Sequence, residues 1–407
     1  MTAPIAVRGE PNALLATSEG QTFLTGEEIY LRPFAPADAG YAQCWRFEPF
    51  PFSPDRIRAT LDDGETGDSS SKGRIHLLIV RGYDERPVGS VLIHTDWFPN
   101  HFVEAATDPI FGEDGDRWKG EAVAMCMRLV VDEWQKPIIE FPLMADETQV
   151  IARLEKFGAR ESMRFRERYV RDGHRVDGLF YEYLNRDWVA RLGDPAEREQ
   201  PRSGTGEPRP VTSPVQIEHD PPPNAVRIGP RVYLRPIQKS DARAVVRWVM
   251  REDDTNWSNG RGPVGGERWW DEMKKEQAKT PQTWARFSVC LRGADDLIGF
   301  VGIDDIDYQH RFGESESELI HPDVRGHGYG SEAKHLLFDY AFNTLGLHSL
   351  QSSVLFENTR SAAALRKQGY LPSGRVHWTH PRDGVFTHMG MFDLLASDWR
   401  AMPRHNP

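Results

Sequence analysis

One text is written twice along this chain. Ile29-Tyr30-Leu31-Arg32-Pro33 is followed by Asp38-Ala39 and Trp45, and Val232-Tyr233-Leu234-Arg235-Pro236 by Asp241-Ala242 and Trp248 at the same internal spacing. The match returns further on. Val88-Gly89 answers Ile298-Gly299, Glu121-Ala122 answers Glu332-Ala333, and Leu154, Lys156 and Gly158 answer Leu365, Lys367 and Gly369. Asp172-Gly173 answers Asp383-Gly384, and Asp187-Trp188 answers Asp398-Trp399. A period this long exceeds any solenoid unit and reads as a duplicated domain. The copies differ most at one place. The second carries Arg325-Gly326-His327-Gly328-Tyr329-Gly330, where the first has Asp114-Gly115-Asp116-Arg117-Trp118-Lys119.

Between the copies the pattern breaks. Pro201, Pro208, Pro210, Pro214 and the run Pro221-Pro222-Pro223 have few large apolar residues among them. Such a stretch cannot bury a face and reads as an extended linker. The expected organisation is a first domain over residues 1–190, a Pro-rich linker over 191–226 and a second domain over 227–407, each of ordinary domain size. The net charge of −11 argues against a polyanion such as nucleic acid as partner, but not against a basic small molecule. Three scattered cysteines, Cys44, Cys126 and Cys290, give no disulfide framework and fit a reducing cytoplasm. No apolar stretch approaches membrane-spanning length, and the first residues lack the pattern of a signal peptide.

Each copy repeats one order of signals. A short β-like run leads to Pro and then to Asp38 or Asp241, placed to cap a helix carrying Trp45 or Trp248. Apolar runs at 75–80 and 88–93, and at 287–291 and 297–303, read as consecutive hairpin strands. Ala333, Leu336, Leu337, Tyr340 and Ala341 then follow helical spacing, and Ala122, Met125, Cys126, Leu129 and Val130 repeat that face in register. Gly346 is a plausible stop. Strands at 138–143 and 350–356 follow, then a short helix over 360–367, then two strands around a turn at Asp383-Gly384. The expected fold is a mixed α/β (α+β) sheet with one central strand–loop–helix unit.

In the second copy the strand before the loop reads Glu314-Ser315-Glu316-Ser317-Glu318-Leu319-Ile320. Glycines at every second loop position let the backbone approach a ligand without Cβ obstruction. They stand where a helix begins, so unpaired N–H groups and the positive end of its dipole point into the loop. That is a pyrophosphate cradle in physical terms. The G-x-G-x-G spacing is neither the Rossmann fingerprint nor Walker A.

Arg325 to Gly330 matches the R/Q-x-x-G-x-G/A loop of the GNAT N-acetyltransferases. His321-Pro322-Asp323-Val324 resembles the family's approach to that loop, and Glu357-Asn358-Thr359-Arg360-Ser361 with Lys367-Gln368-Gly369-Tyr370 resembles its following segment. The opening Leu234-Arg235-Pro236 and the ending Asp398-Trp399 are similar to the branch that acetylates ribosomal-protein N-termini. The resemblance covers nearly all of residues 231–400 and implies two tandem acyl-coenzyme A N-acyltransferase folds, with acetyl-coenzyme A as co-substrate and no metal. It implies that the backbone of Arg325, Gly326, His327, Gly328, Tyr329, Gly330 and Ser331 holds the pyrophosphate. It also places the pantetheine beside Leu319 and Ile320, where the sheet splays, with Asn358 bonding that arm. Ser361 either lies near the coenzyme sulfur or caps the helix that starts there. Many relatives have a tyrosine acid where this chain has Leu365, so no tyrosine acts at that place.

Acetylating an amine requires a group that takes its proton. Glu314, Glu316 and Glu318 alternate along a strand and so share one face with Ile320. If that face is a cleft, its carboxylates attract a cationic amine; otherwise they keep an edge solvated. Glu318 is the first candidate base and Glu316 the second, with Asp304, Asp305 and Asp307 as further acidic wall. His377, His380 and His388 straddle a turn without accompanying cysteines or an H-E-x-x-H pattern, which favours a structural or substrate-contacting role over a metal. Trp257, Trp269, Trp270 and Trp284 stand between core and pocket.

In the first copy Arg117 and Lys119 replace Gly328 and Gly330, and Glu147 and Val150 replace Asn358 and Ser361. Asp114 and Asp116 would meet phosphates with like charge. The expectation is a degenerate first domain serving as scaffold and contributing to the substrate wall. The second domain would carry the single site, acetylating a primary amine of a small cationic molecule by direct attack in a ternary complex. The alternatives are another acyl-coenzyme A enzyme, such as a longer-chain acyltransferase or a decarboxylase, and a non-catalytic sensor of coenzyme A or an antibiotic. The acceptor, the acyl chain length and the oligomeric state are not legible.

Overall fold

A computed structural model describes residues 23–41, 53–62, 74–95, 101–195, 207–217, 221–222, 224–249, 265–319, 322–379, 381–382 and 385–405. They divide into two compact units. The first draws on residues 1–164, 176–199 and 376–388, and the second on 165–175, 200–375 and 389–407. Each unit therefore includes a short segment from the other copy.

The first unit contains β1 (Ile29–Pro33), β2 (Arg74–Arg81), β3 (Arg86–His94), β4 (His101–Thr107), helix α1 (Gly112–Met127), β5 (Ile138–Met144), α2 (Thr148–Lys156), β6 (Arg160–Arg171) and β7 (His174–Leu184), with the tip of the last two counted in the second unit. The strands lie in the order β1-β2-β3-β4-β5-β7-β6. The second unit repeats the order as β8-β9-β10-β11-β12-β14-β13, from β8 (Val232–Pro236), β9 (Ala285–Leu291), β10 (Leu297–Asp307), β11 (Phe312–Leu319), β12 (Ser349–Leu355), β13 (Leu371–Val376) and β14 (Met389–Leu395). Helix α3 (Tyr329–Asp339) follows β11, and α4 (Thr359–Lys367) follows β12. β4–β5 and β11–β12 run parallel, while the other pairs from β1 to β5 and from β8 to β12 are antiparallel. The parallel pairs are short. Pairing of β11 with β12 ends at Glu314–Gln351, and beyond that point the strands part.

The apolar stripe predicted for α3 is buried, with Ala333, Leu336, Leu337 and Ala341 at zero exposure. They pack with Leu234, Val289, Val301 and Leu350. α1 packs Ala122, Cys126 and Val130 against Leu31, Ile79, Val91 and Phe141 in the same way. Truncating such a leucine costs about 3 kcal/mol. Burial pushes the Cys126 thiol up to about 12, so it behaves as a core residue. Periodicity alone puts the polar residues of α3 in water, yet Glu332, Lys334 and His335 are also buried. Each finds a partner inside. The Glu332 carboxylate accepts from the backbone N–H of Arg231 and Val232 at 2.7 and 3.0 Å. Its equivalent Glu121 accepts from the N–H of Glu27 and Glu28. The matched glutamates thus anchor the start of each first strand to its central helix.

The repeated Arg and Asp of the opening motif form buried pairs. Arg32 bonds Asp38 through two nitrogens at 2.7 and 2.8 Å, and Arg235 bonds Asp241 at 2.9 and 2.7 Å. Asp38 and Asp241 sit at the third position of a short helix and reach back to the N–H of Ala35 and Gln238. They close the turn from inside instead of standing at its cap. Trp45 lies outside the described residues, as does the side chain of Trp248.

Each exchanged segment is held by charge. In the second unit, Arg166 donates to Asp393 from its backbone at 2.9 Å and its guanidinium at 2.5 Å, and to Asp398 at 2.7 Å. In the first unit, at the equivalent place, His377 lies 2.5 Å from the buried Glu182, which also accepts from Arg160 at 2.7 Å. His377 and Trp378 are buried there, and Trp378 and Phe386 face Trp188 at 6.1 and 5.2 Å. His377 and His388 therefore have a structural setting, while His380 and Asp383-Gly384 lie outside the described residues. The matching Asp172-Gly173 turn has positive φ at both positions, the geometry a tight hairpin needs.

Candidate active site

The glycine loop connects β11 to α3. Gly326 and Gly328 have φ near +84° and +83°, which side-chain-bearing residues adopt at a cost. Gly328 caps α3, and the first intrahelical bond runs from the Glu332 N–H to its carbonyl at 3.1 Å. The N–H groups of Tyr329, Gly330 and Ser331 precede that bond and so point out of the helix end into the loop. Arg231, which sequence reasoning did not single out, backs the loop. It donates to the His327 carbonyl at 2.8 Å and pairs with Glu332 at 2.8 Å. A Cβ on residue 328 would lie 3.4 Å from its guanidinium. Arg325 is half-buried in the same turn. Leu319 is the last residue of β11, opposite Gly299, and Ile320 lies outside the described residues.

The equivalent stretch of the first copy is helix. α1 begins at Gly112, so residues 114–119 continue the helix backward through the place of the loop. Side chains fill the space. Arg117 and Trp118 bond Glu28 at 2.9 and 3.0 Å, and Lys119 bonds Glu147 at 2.5 Å. Arg117 and Lys119 align with Gly328 and Gly330, and Glu147 with Asn358. The positions that form an open cradle in one copy are joined by ion pairs in the other. Where the second copy has Arg231, the first has Glu28, so the charge behind the loop is reversed as well.

Asn358 caps α4, its side-chain oxygen accepting from the Ser361 N–H at 3.1 Å. The capping role weighed for Ser361 thus belongs to Asn358. Ser361 is the third helical residue and half-buried.

Glu314, Glu316 and Glu318 do share one face of β11, opposite Asp304, Gly302 and Phe300 of β10. Their settings differ. Glu314 accepts from the Ser353 hydroxyl at 2.7 Å. Glu316 forms an ion pair with Arg286, whose guanidinium also stands 3.9 Å from Asp304. Burial pushes the Asp304 carboxyl up. Glu318 is exposed at the loop end of the strand. Asp305 is exposed, and Asp307 accepts from the His310 N–H at 2.7 Å. Beside this face, Trp284 is buried in a small cluster with Phe300 and Met273, and Trp269 stacks 5.6 Å from Phe300. These tryptophans pack as a satellite core, while Trp257 lies outside the described residues.

The opposite face of β11 holds a network that periodicity does not reveal. Lys334 of α3 is fully buried and donates to the Ser315 hydroxyl at 2.8 Å, which lies 2.5 Å from the Tyr370 hydroxyl. Ser352 donates to the Ser315 carbonyl at 2.9 Å, just where β11 and β12 part. Burial lowers the Lys334 amine to about 7. The signal available in sequence was that Leu337, Phe338 and Ala341 follow Lys334 at three, four and seven residues and so share its helix face. Among the described residues no group of His, Cys, Asp and Glu is placed to hold a metal, and no helix is long and apolar enough to cross a membrane.

Residues 231–371 match the acetyltransferase (GNAT) domain family. The chain is 30% identical over 114 residues to the uncharacterized N-acetyltransferase p20 of Bacillus licheniformis, spanning 28% of this chain and 64% of that relative's length. Among solved structures, spermidine N-acetyltransferase from Vibrio cholerae, in complex with CoA and spermine, matches 42% of this chain and 98% of its own at 20% identity and a TM-score of 0.38. A probable acetyltransferase matches 42% and 96% at 16% identity, also with a TM-score of 0.38. Within a mixed α/β chain, residues 231–371 thus carry an acetyltransferase (GNAT) domain.

Proposed function

We propose that the chain is an acetyl-coenzyme A-dependent N-acetyltransferase with one active site, in residues 227–407, and that its first half is a degenerate copy of the same fold. One observation carries this reading: the positive-φ glycine loop opens onto the N-terminus of α3 in the second copy, while the same positions of the first are helical and joined by ion pairs. The loop backbone from Arg325 to Ser331 holds the pyrophosphate, with Arg231 adding positive charge behind it. The pantetheine enters where β11 and β12 part.

The acceptor is a small amine drawn by the carboxylates of the β11 face. Glu318 takes its proton, directly or through water. The free amine attacks the thioester carbonyl, the C–N bond forms, the C–S bond breaks, and coenzyme A leaves. Glu316, in its ion pair with Arg286, is the second candidate. Action in the cytoplasm, proposed on the cysteine pattern, suits this co-substrate. The test is thiol release from acetyl-coenzyme A across a library of amines. Saturable release with at least one amine supports the reading. Tight coenzyme A binding with no release from any amine favours a sensor, and release only from longer acyl thioesters favours another acyltransferase.

A further inference from the structure

The second unit includes residues 165–175 of the first copy, and Arg168 among them contacts Gln351 of β12 and Phe312 of β11. Arg168 donates to the side-chain oxygen of Gln351. Gln351 stands opposite Glu314 in the β11–β12 register, and Ser353, two residues on, bonds Glu314 itself. Side chains alternate along a strand, so Gln351, Ser353, Glu314 and Phe312 share one face. The Arg168 guanidinium also sits 3.9 Å from the centre of the Phe312 ring. Along that face the order is Phe312, Glu314, Glu316, Glu318, with the glycine loop beyond Glu318. Arg168 thus places a positive charge at the end of the row farthest from the loop. Its position is fixed by neighbours. Tyr169 packs against His310 and Phe312 at 5.1 and 6.4 Å, the Val170 N–H donates to His310 at 3.0 Å, and Glu167 pairs with His348 at 2.7 Å.

We infer that Arg168, supplied by the degenerate copy, is a specificity-determining residue of the second copy's acceptor site. It selects amines whose far end carries an oxygen acceptor, a hydroxyl or a carboxylate, and rejects those with a second ammonium there. An amine long enough to run the roughly 13 Å of strand from Glu318 to Glu314 brings its far end to the guanidinium. A guanidinium offers only donors and a fixed charge, so an oxygen there is bound and an ammonium repelled. Like-charge juxtaposition of this kind is how a site excludes the wrong partner. The inference rests on the acetyltransferase reading. It gives the first copy a task despite its closed cofactor loop.

The test compares a linear diamine with the amino alcohol of the same chain length, by thiol release from acetyl-coenzyme A. The whole chain is used, as wild type, Arg168→Met and Arg168→Gln. The wild type should prefer the amino alcohol in kcat/KM by about tenfold or more, and both variants should lose most of that preference, mainly by improved KM for the diamine. Acetyl-coenzyme A affinity should not change, which also reports that the variants are folded. Should Arg168→Met fail to fold, Arg168→Gln, which keeps a hydrogen bond but no charge, carries the comparison. A wild type that prefers the diamine, or a preference unchanged in the variants, overturns the inference while leaving the acetyltransferase reading intact. No release from any amine overturns both.

Discussion

Lys334 is the residue whose chemistry depends most on where the fold puts it. Its ammonium has Ser315 as hydrogen-bond partner, the Phe338 ring 5.7 Å away, and Glu314 and Asp304 as the carboxylates whose field reaches it. Burial lowers its pKa from 10.5 to about 7, so between those values the unfolded chain binds a proton that the folded chain does not. Stability therefore rises with pH across that window, and is lost as pH falls from about 10 to about 7. The full effect is on the order of 5 kcal/mol. Lys334→Met should stabilise the protein, and its gain in thermal midpoint should grow as the pH is lowered from 10 to 7. A gain of the same size at both pH values would mean that the amine is not titrating in this way. Glu318 lies exposed at the loop end of β11. Glu318→Gln should lower kcat by ~10²-fold, typical of lost general-base catalysis, with acetyl-coenzyme A affinity nearly unchanged. Near-normal turnover at every pH would return Glu318 to the solvated edge.

At the scale of elements, the contrast between α1 and α3 comes from glycine. Glycine is poor helix and good left-handed turn, so Gly326 and Gly328 stop α3 from growing backward. The first copy keeps only Gly115 of the pattern, and α1 runs through it to Gly112. Gly328→Glu should abolish acetyl-coenzyme A binding by placing a carboxylate in the cradle, while costing about 1 kcal/mol in stability for the left-handed backbone. Retained binding on calorimetry would separate the loop from the cofactor. The loop, the strands and the helical stripes were legible in sequence because each is a local pattern of a few consecutive residues. The shared face of Glu314, Glu316 and Glu318 was legible too, since it follows from strand alternation alone. What pairs with that face was not. Arg286 reaches Glu316, and Lys334 reaches Ser315, through strand register and helix packing, which one stretch of sequence does not encode. Asn358 was legible as a functional position and hidden as a cap, because its bond to the Ser361 N–H depends on which residue begins α4.

At the scale of the molecule, the two copies have equal strand order and unequal chemistry. Neither unit is built from one copy alone, since 165–175 belong to the second and 376–388 to the first. The buried Asp393 takes its guanidinium partner, Arg166, from the other copy. Arg166→Ala leaves that carboxylate uncompensated and should destabilise the second unit by about 3 kcal/mol, seen as a lower denaturant midpoint. A shift under ~0.5 kcal/mol would mark the pair as a surface bridge. Part of the expected linker is docked: Val211 and Thr212 pair with Arg404 and His405, and Val211 is buried in the second unit's core. Protease should therefore cut first in the rest of the stretch 191–226, and the two fragments should then elute together. Early cuts inside both copies would show the linker to be misplaced. A fragment starting at residue 227 lacks Arg166 and Arg168 and should regain turnover only when residues 1–190 are added. On the proposed function, one copy keeps the cofactor and the other has closed its loop. Isothermal titration of the whole chain with acetyl-coenzyme A tests it most directly. One site per chain is expected, lost in Gly328→Glu and retained in Lys119→Gly; two equal sites, or one that survives Gly328→Glu, would rule this out.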